Sequence, residues 1–492
     1  MLKIIRTKWA LLSVVLIAVL IALLTQATKT GLWYDEAIEY YYSKYASGIV
    51  PGGGSTQTMY ERICSTYQPP LYNWLMHIWL QIGDSEFWFR LAGILTSLAG
   101  GIGFFLAAEK LSNGRWAAVG TGCYLLTQGI ATYTLQCAEY NLMLCMLCWT
   151  FFFYIAAIKE EKNSLLAGFF LFACLSVYSQ YGSAFIILPL YLSLCIHFVR
   201  NKRKIRELLI LSLATAVAAV LLVVFFLLPQ IRVQGTDSVP HTPVFAWQNG
   251  FVDFFLSLKD QIFLLYGSGG QGNWIIMPIL GMAAVLTGLA LIKSSQKKIL
   301  RLLLWVCLLS WILYYIAIAC SFYGYNNYIG TLGTNNIEKR YGLFLIPGGT
   351  LLLLAGVYSF IHGNPERLSG TTKKGLACIL AGFGIVYCAM GVRVMTLIMP
   401  RDDMREAAKT WYQLQAYDAR TLVDGWSDPI FQFYLTHDEA YSEVYQKQIV
   451  SQPNISNIRD ETDETGLGSN RLFVLFRFLF LLSHAGRILL FP

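Results

Sequence analysis

The chain has 492 residues, of which 56% are hydrophobic and only 13% are charged, and this composition excludes a water-soluble multidomain protein. Its formal net charge of +8 could indicate a nucleic-acid partner. We expect none, because the basic residues lie mainly in short loops between apolar segments, as the positive-inside rule predicts for a membrane protein.

The first apolar segment, Trp9–Leu24, follows a basic N-terminus and could be a secretory signal peptide. No clean cleavage site of the Ala-x-Ala type follows it, so we interpret it as a retained span. Because a helical span needs about 20 apolar residues, the sequence predicts a polytopic α-helical membrane protein with about eleven transmembrane helices. These cover residues 8–27, 87–108, 115–133, 141–158, 164–180, 182–199, 207–228, 273–293, 299–320, 341–360 and 375–398.

Lysine and arginine are concentrated in the loops at one end of these spans, most densely in Arg200–Arg206. This asymmetry places the N-terminus in the cytoplasm, and the odd number of spans then places the C-terminal residues outside the cell membrane. We therefore expect a transmembrane catalytic domain at 1–400 and a small extracytoplasmic α/β domain at 401–492.

Two adjacent acids, Asp35 and Glu36, follow the first span at the membrane surface. Charge near hydrocarbon is costly, so such acids are candidates for function. A carboxylate beside a lipid headgroup could act as a general base or as a metal ligand. The alternative is helix capping, since Asp is a good N-cap and Ala37–Tyr42 looks helical. Capping explains only one of the two acids.

The first outer loop, 28–86, ends in the apolar segment Pro70–Ile82, which is short and contains Asn73, His77 and two tryptophans. We interpret 70–82 as a helix that lies in the membrane interface. Counting it as a span would invert every later loop, against the positive-inside rule. Pro69 and Pro70 by themselves indicate a stiff junction between loop and helix.

A later outer loop is rich in groups that could bind a sugar or a phosphate. Tyrosine and asparagine side chains there could stack on sugar rings and donate hydrogen bonds, or could form an aromatic belt at the interface. These residues are Tyr323, Tyr325, Asn326, Asn327 and Tyr328. Lys339 and Arg340, at the start of the next span, could bind phosphate. They could also be a snorkelling pair.

The C-terminal region predicts an amphipathic helix at 402–415, a strand at 421–424 and a short helix at 428–435. Residues 451–470 are polar and we expect them to be loose. For 471–492 a buried strand is favoured over a further membrane segment, because central arginines are costly in hydrocarbon.

Several short motifs occur in an order that resembles one known family. The motifs are Asp35-Glu36, Pro69–Tyr72, Gly83–Phe87, Arg90-Leu91, Arg340-Tyr341 with 343–347, and Asp403–Ala408. Together they resemble the protein-mannosyltransferase-like branch of the GT-C glycosyltransferases, which includes the bacterial aminoarabinose transferases. The strongest similarity covers residues 31–105.

The resemblance implies a sugar donor linked to polyprenyl phosphate and transfer to a hydroxyl of a lipid, cell-surface glycan or protein acceptor on the outer face. It implies that Asp35 is the catalytic base, that Glu36 supports it or helps to hold a divalent cation, and that Lys339 and Arg340 bind the donor phosphate. A single displacement would invert the anomeric centre.

The sequence also departs from the family. Gln68 stands where a ligand-capable residue such as His usually precedes the two prolines, and Gln136–Glu139 replaces a Gln-Glu-Ala-Arg pattern. Glu139 could be a second catalytic acid or could cap the following span. Any metal site would rest on Glu36 and Gln68 at most, which is a poor set for a hard cation. Gln68 and Tyr341 are further substrate-binding candidates.

Two other functions remain as alternatives. A lipid or polysaccharide transporter would place polar residues inside the spans and would often contain internal repeats, which we do not see. A non-catalytic membrane scaffold would leave the acids and Arg340 without a common role.

Overall fold

The computed structural model describes most of the chain. The described residues are 2–27, 29, 31–49, 56–66, 68–236, 262, 265–266, 273–294, 297–319, 339–362, 370–396, 404–413, 421–423, 428–437 and 455–457. They form two compact units, which we describe separately: a membrane unit of residues 1–28 and 60–398, and an α/β unit of residues 29–59 and 399–492.

The membrane unit is helical throughout its described residues. Its helices before residue 140 are α1 (Leu2–Leu24), α3 (Met59–Cys64, from residue 60 on), α4 (Leu71–Leu80), α5 (Glu86–Leu111), α6 (Gly114–Leu125) and α7 (Gln128–Thr134). Those that follow are α8 (Tyr140–Glu160), α9 (Asn163–Ser179), α10 (Ala184–Arg200), α11 (Ile205–Leu222), α12 (Leu228–Thr236), α13 (Asn273–Lys293), α14 (Lys297–Ala319), α15 (Leu345–His362) and α16 (Gly370–Thr396). Short 3-10 turns lie at Tyr181–Ser183 and Lys339–Gly342, and a π-helical turn, Val223–Leu227, joins α11 to α12.

Among the described residues, nine helices are long and apolar enough to cross a membrane, which confirms a multi-pass membrane protein. A tenth predicted span, 164–180, is the shorter apolar helix α9. The predicted span 115–133 is not continuous, because the chain leaves the helix at Leu126 and Thr127 before α7 begins. The Thr127 hydroxyl donates to the Cys123 carbonyl oxygen at 2.9 Å and accepts from Tyr387 at 3.1 Å, so the interruption is held by hydrogen bonds.

Ion pairs connect the helix ends at one end of the membrane unit. The Lys8 ammonium lies 2.5 Å from the Glu109 carboxylate, and Glu160 pairs with Lys110 and, at 2.8 Å, with Lys162. Arg203 pairs with Glu161, the C-cap of α8, and its hydrogen bond lowers the pKa of that carboxyl. The sequence predicted the basic residues of these loops but not the acids that pair with them.

Helix α4 has ten residues and is therefore about 15 Å long, half of what a hydrocarbon core of about 30 Å requires. Five residues, 81–85, connect it to α5. The Trp79 and Trp88 rings stack at 4.4 Å, and each indole N–H donates to the other residue's carbonyl oxygen, at 2.9 and 3.1 Å. The structure thus confirms a helix too short to span, while its position in the interface stays a prediction.

The α/β unit contains α2 (Tyr34–Lys44), the antiparallel strands β1 (Ser47–Ile49) and β2 (Thr56–Thr58), α17 (Met404–Gln413), β3 (Thr421–Val423), α18 (Asp428–His437) and β4 (Ile455–Asn457). After residue 400, the described elements follow the helix–strand–helix order that the sequence predicts. The prediction that 451–470 is loose is wrong at β4, which pairs in parallel with β3. A three-residue strand stabilised by a distant partner has no local signal. The segment 471–492 lies outside the described residues.

Candidate functional site

The start of α2 contains both acids that the sequence singled out. The N-cap is Trp33, whose backbone N–H donates to the Glu36 carboxylate at 3.1 Å. A glutamate three residues after the N-cap commonly satisfies this backbone donor. The capping role therefore belongs to Glu36, which is 3% exposed, and not to Asp35, as the capping alternative assumed. Asp35 is the second residue of the helix and is partly exposed.

Helix α2 is fixed to α18 within the α/β unit. The Tyr434 hydroxyl accepts from the Leu32 backbone N–H at 2.7 Å, and Tyr40 shares a 2.8 Å hydrogen bond with His437. The Tyr40 ring also packs edge-on against Phe433 at 4.9 Å. Because Tyr40 is fully buried and bonded, the turn that carries Asp35 is held on a rigid helix.

A third acid, Glu39, is 4% exposed and lies three residues after Glu36 on the same buried face of α2. The sequence interpretation did not single it out. Its signal was the i, i+3 spacing of two glutamates in a helix whose neighbouring residues are aromatic. Because a buried carboxylate is costly unless it is hydrogen-bonded or ion-paired, the surroundings of Glu39 in the α/β unit must stabilise it.

Gln68 lies in the loop before α4, and Pro70 is the N-cap of that helix. The Gln68 carbonyl oxygen accepts a 2.7 Å hydrogen bond from the side-chain amide of Gln230, a residue of α12 that is completely buried. Sequence reasoning missed Gln230. Its only signal was an amide side chain after a proline at the end of an otherwise apolar segment.

Glu139 lies in the turn between α7 and α8 and is 2% exposed. It occupies the N-cap position of α8, but its side chain makes no capping hydrogen bond. The Asn141 amide instead holds the turn, donating to the carbonyl oxygens of Tyr133 and Thr134 at 2.8 and 3.2 Å. Of the two roles left open for Glu139, side-chain capping is therefore not observed.

Lys339, Arg340 and Tyr341 lie on the 3-10 turn before α15, and this turn contacts α7. The turn is anchored by Leu343 and Phe344, which are fully buried. The side chains of Lys339 and Arg340 lie outside the described part of the structure, and Tyr341 is partly exposed. Tyr323, Tyr325 and Asn327 also lie outside the described residues.

The structure places these candidates in two groups. Asp35 and Glu36 share one helical turn in the α/β unit. In the membrane unit, the Glu139 turn follows α7 directly, and the Lys339–Gly342 turn packs on the same short helix. The described residues contain no group of three or more His, Cys, Asp or Glu side chains that could hold a metal ion.

Comparisons with known proteins agree with this architecture. Residues 67–228 match the family model described as dolichyl-phosphate-mannose-protein mannosyltransferase. No curated protein matches the chain. The crystal structure of ArnT from Cupriavidus metallidurans bound to undecaprenyl phosphate aligns with 93% of this chain and 91% of its own, at 12% identity and a TM-score of 0.51. The apo ArnT structure aligns with 93% and 90%, at 13% identity and the same TM-score. At such low sequence identity, these structural alignments show a shared fold and nothing more.

Proposed function

We propose that this chain, a member of the GT-C glycosyltransferase superfamily by its ArnT-like fold and its mannosyltransferase-family segment, transfers a sugar from a polyprenyl-phosphate donor to a hydroxyl acceptor. The ArnT structure that contains undecaprenyl phosphate supports this class of donor. The acceptor would be a lipid, a cell-surface glycan or a protein, met at the extracytoplasmic face of the cell membrane.

The reaction we propose is attack of the acceptor hydroxyl on the anomeric carbon, with Asp35 taking the hydroxyl proton. This role is supported by the different environments of the two acids at the start of α2. Glu36 satisfies the helix N-terminus, so capping does not account for Asp35. A partly exposed carboxylate on a rigid helix suits a general base, which must meet its proton at hydrogen-bonding distance.

The departing polyprenyl phosphate needs positive charge, and we assign this task to Lys339 and Arg340. Arginine can bind phosphate oxygens bidentately, and preorganised charge near a leaving group is a large catalytic term. Glu139, as a buried acid, is the second catalytic candidate. Gln68, Tyr323, Tyr325, Asn327 and Tyr341 are the candidates for contacts with the sugar or acceptor. One displacement at the anomeric carbon would invert its configuration.

The decisive experiment incubates purified protein with a panel of polyprenyl-phosphate sugars and follows release of polyprenyl phosphate. Removal of a general base lowers the rate by about 10²–10⁴-fold, so Asp35→Asn should lose at least a hundredfold in kcat. Glu61→Gln, which likewise replaces a carboxylate by its amide at an exposed position of the first outer loop, is the matched control and should retain activity.

Full activity of the Asp35→Asn variant would contradict the role of Asp35 as the general base. If the protein moves the intact lipid-linked sugar across a bilayer and releases polyprenyl phosphate from no donor, it is a transporter and the proposed enzyme function is wrong.

A further inference from the structure

Among the described residues, the longest apolar helical stretch of the membrane unit contains an unusual turn near one end. Residues Ile205–Val233 form 29 helical residues, or about 43 Å, well beyond a hydrocarbon core of about 30 Å. Most of its large apolar side chains are exposed, Leu213 to 68%. The π-helical turn Val223–Leu227 interrupts it near one end. Such turns are rare and occur frequently at functional sites.

The π-helical turn contacts the segment that leads to Gln68. The Tyr60 hydroxyl donates to the Phe225 carbonyl oxygen at 2.8 Å. The Phe226 ring packs edge-on against Tyr60 and against Trp74 of α4, with both centroid distances at 5.7 Å. One inserted residue rotates everything after it by about 100° around the helix axis. The turn therefore sets the direction in which the following side chains point.

Gln230, the third residue after that turn, uses both ends of its amide. The side-chain nitrogen donates to the carbonyl oxygens of Ile63 and Gln68, at 3.0 and 2.7 Å. The side-chain oxygen accepts from the Tyr181 hydroxyl at 2.9 Å. Gln230 has no exposed surface, and a buried amide is tolerated only when it is hydrogen-bonded in this way.

We propose that Gln230 is a positioning residue for the lipid-linked donor: the π-helical turn aims its amide at the loop that carries Gln68 and thereby fixes the geometry with which that loop binds the donor. This inference rests on the proposed function, in which Gln68 is a substrate contact. Gln230 acts through the two backbone carbonyl groups and does not touch the reacting atoms.

Two tyrosines provide a matched pair of variants. Tyr181→Phe removes the hydrogen bond that orients the Gln230 amide. Tyr178→Phe removes an equivalent hydroxyl, which donates to the Ala218 carbonyl oxygen at 2.7 Å and has no bond to the loop. One hydrogen bond corresponds to roughly a fivefold effect. Tyr181→Phe should raise KM for the polyprenyl-phosphate sugar about fivefold with kcat nearly unchanged. Tyr178→Phe should leave both constants unchanged.

Gln230→Met is the stronger variant, and we expect it to raise KM at least tenfold, again with little change in kcat. A purely structural role would instead lower the amount of folded protein, with normal constants for what remains. Equal KM values for the two tyrosine variants, or a loss confined to kcat, would overturn the proposal.

A second measurement does not depend on turnover. Cys64 follows Ile63, is 4% exposed, and burial raises the pKa of its thiol, so it should react slowly with a maleimide. In a variant that keeps Cys64 as its one cysteine, Gln230→Met should accelerate labelling at least tenfold. An unchanged labelling rate would also overturn the proposal. If no donor is turned over by the unaltered protein, the proposed function fails, and this labelling rate alone decides whether Gln230 positions the loop.

Discussion

At the residue scale, the first turn of α2 separates two acids that look equivalent in the sequence. Both Asp and Glu are favourable near a helix N-terminus, so composition could predict an acidic turn but not which acid serves the backbone. The answer depends on where the helix begins, at Trp33, which places Glu36 and not Asp35 at the third position. Gln230 was missed because its role depends on tertiary hydrogen-bond partners. Glu39 was missed because its spacing from Glu36 indicates a shared helix face but not that this face is buried.

Because Glu36 caps the helix and Asp35 does not, substitutions of the two acids should differ in their effects on stability and activity. Glu36→Gln keeps an acceptor for the Trp33 N–H and should unfold at nearly the original temperature. Glu36→Ala loses that acceptor and should cost about 1 kcal/mol. Asp35→Asn should leave stability nearly unchanged. Thermal unfolding in detergent measures all three.

If Asp35→Asn destabilises the protein as much as Glu36→Ala does, the role of Asp35 is structural. The loss of turnover in that variant would then have no bearing on proton transfer.

At the element scale, the interruption between α6 and α7 was not predicted because residues 115–133 contain no proline and are apolar enough for one span. Its cause is tertiary. Helix α16 packs against the break, where Tyr387 bonds to Thr127 and the Cys388 thiol lies 4.0 Å from that of Cys123. Hydropathy detects long helices reliably because their signal is local, whereas a break stabilised by another helix leaves no local trace.

Gly391 of α16 permits this close approach, since an added methyl group would overlap the Leu126 carbonyl oxygen. Gly391→Ala should therefore destabilise the protein by about 1–3 kcal/mol, the usual cost of overpacking. Gly382→Ala, on the same helix, meets nothing within 4 Å and is the control. Because alanine favours helix more than glycine, this control should be neutral or slightly stabilising in thermal unfolding. Equal stabilities would show that α16 does not pack on the break.

At the scale of the whole molecule, hydropathy and loop charge predicted the multi-pass architecture, and the fold confirms it. The acids that pair with the basic loops could not be assigned, since an isolated surface pair is worth only about 0–1 kcal/mol and many pairings are possible. The observed pairs, such as Lys8–Glu109 and Arg203–Glu161, gather these helix ends at one end of the membrane unit. Which side of the membrane that end faces is still a prediction.

Cysteine labelling tests this orientation. In a cysteine-free background, Asn201→Cys lies in the basic loop and Gln81→Cys follows α4, and both positions are exposed. A membrane-impermeant maleimide added to intact cells should label position 81 and should leave position 201 unlabelled until the membrane is opened. The opposite pattern would invert the proposed topology and place the acceptor in the cytoplasm.

The hydrogen bond from Leu32 to Tyr434 joins residues that are 402 positions apart. At translation rates of 5–20 residues per second, α2 leaves the ribosome roughly 20–80 s before its partner α18. During that interval, the helix that carries Asp35 lacks the tyrosine and histidine contacts that fix it. Nascent chains are therefore expected to mature late, so that a truncation which spares every described membrane helix but removes α18 yields an inserted, inactive protein.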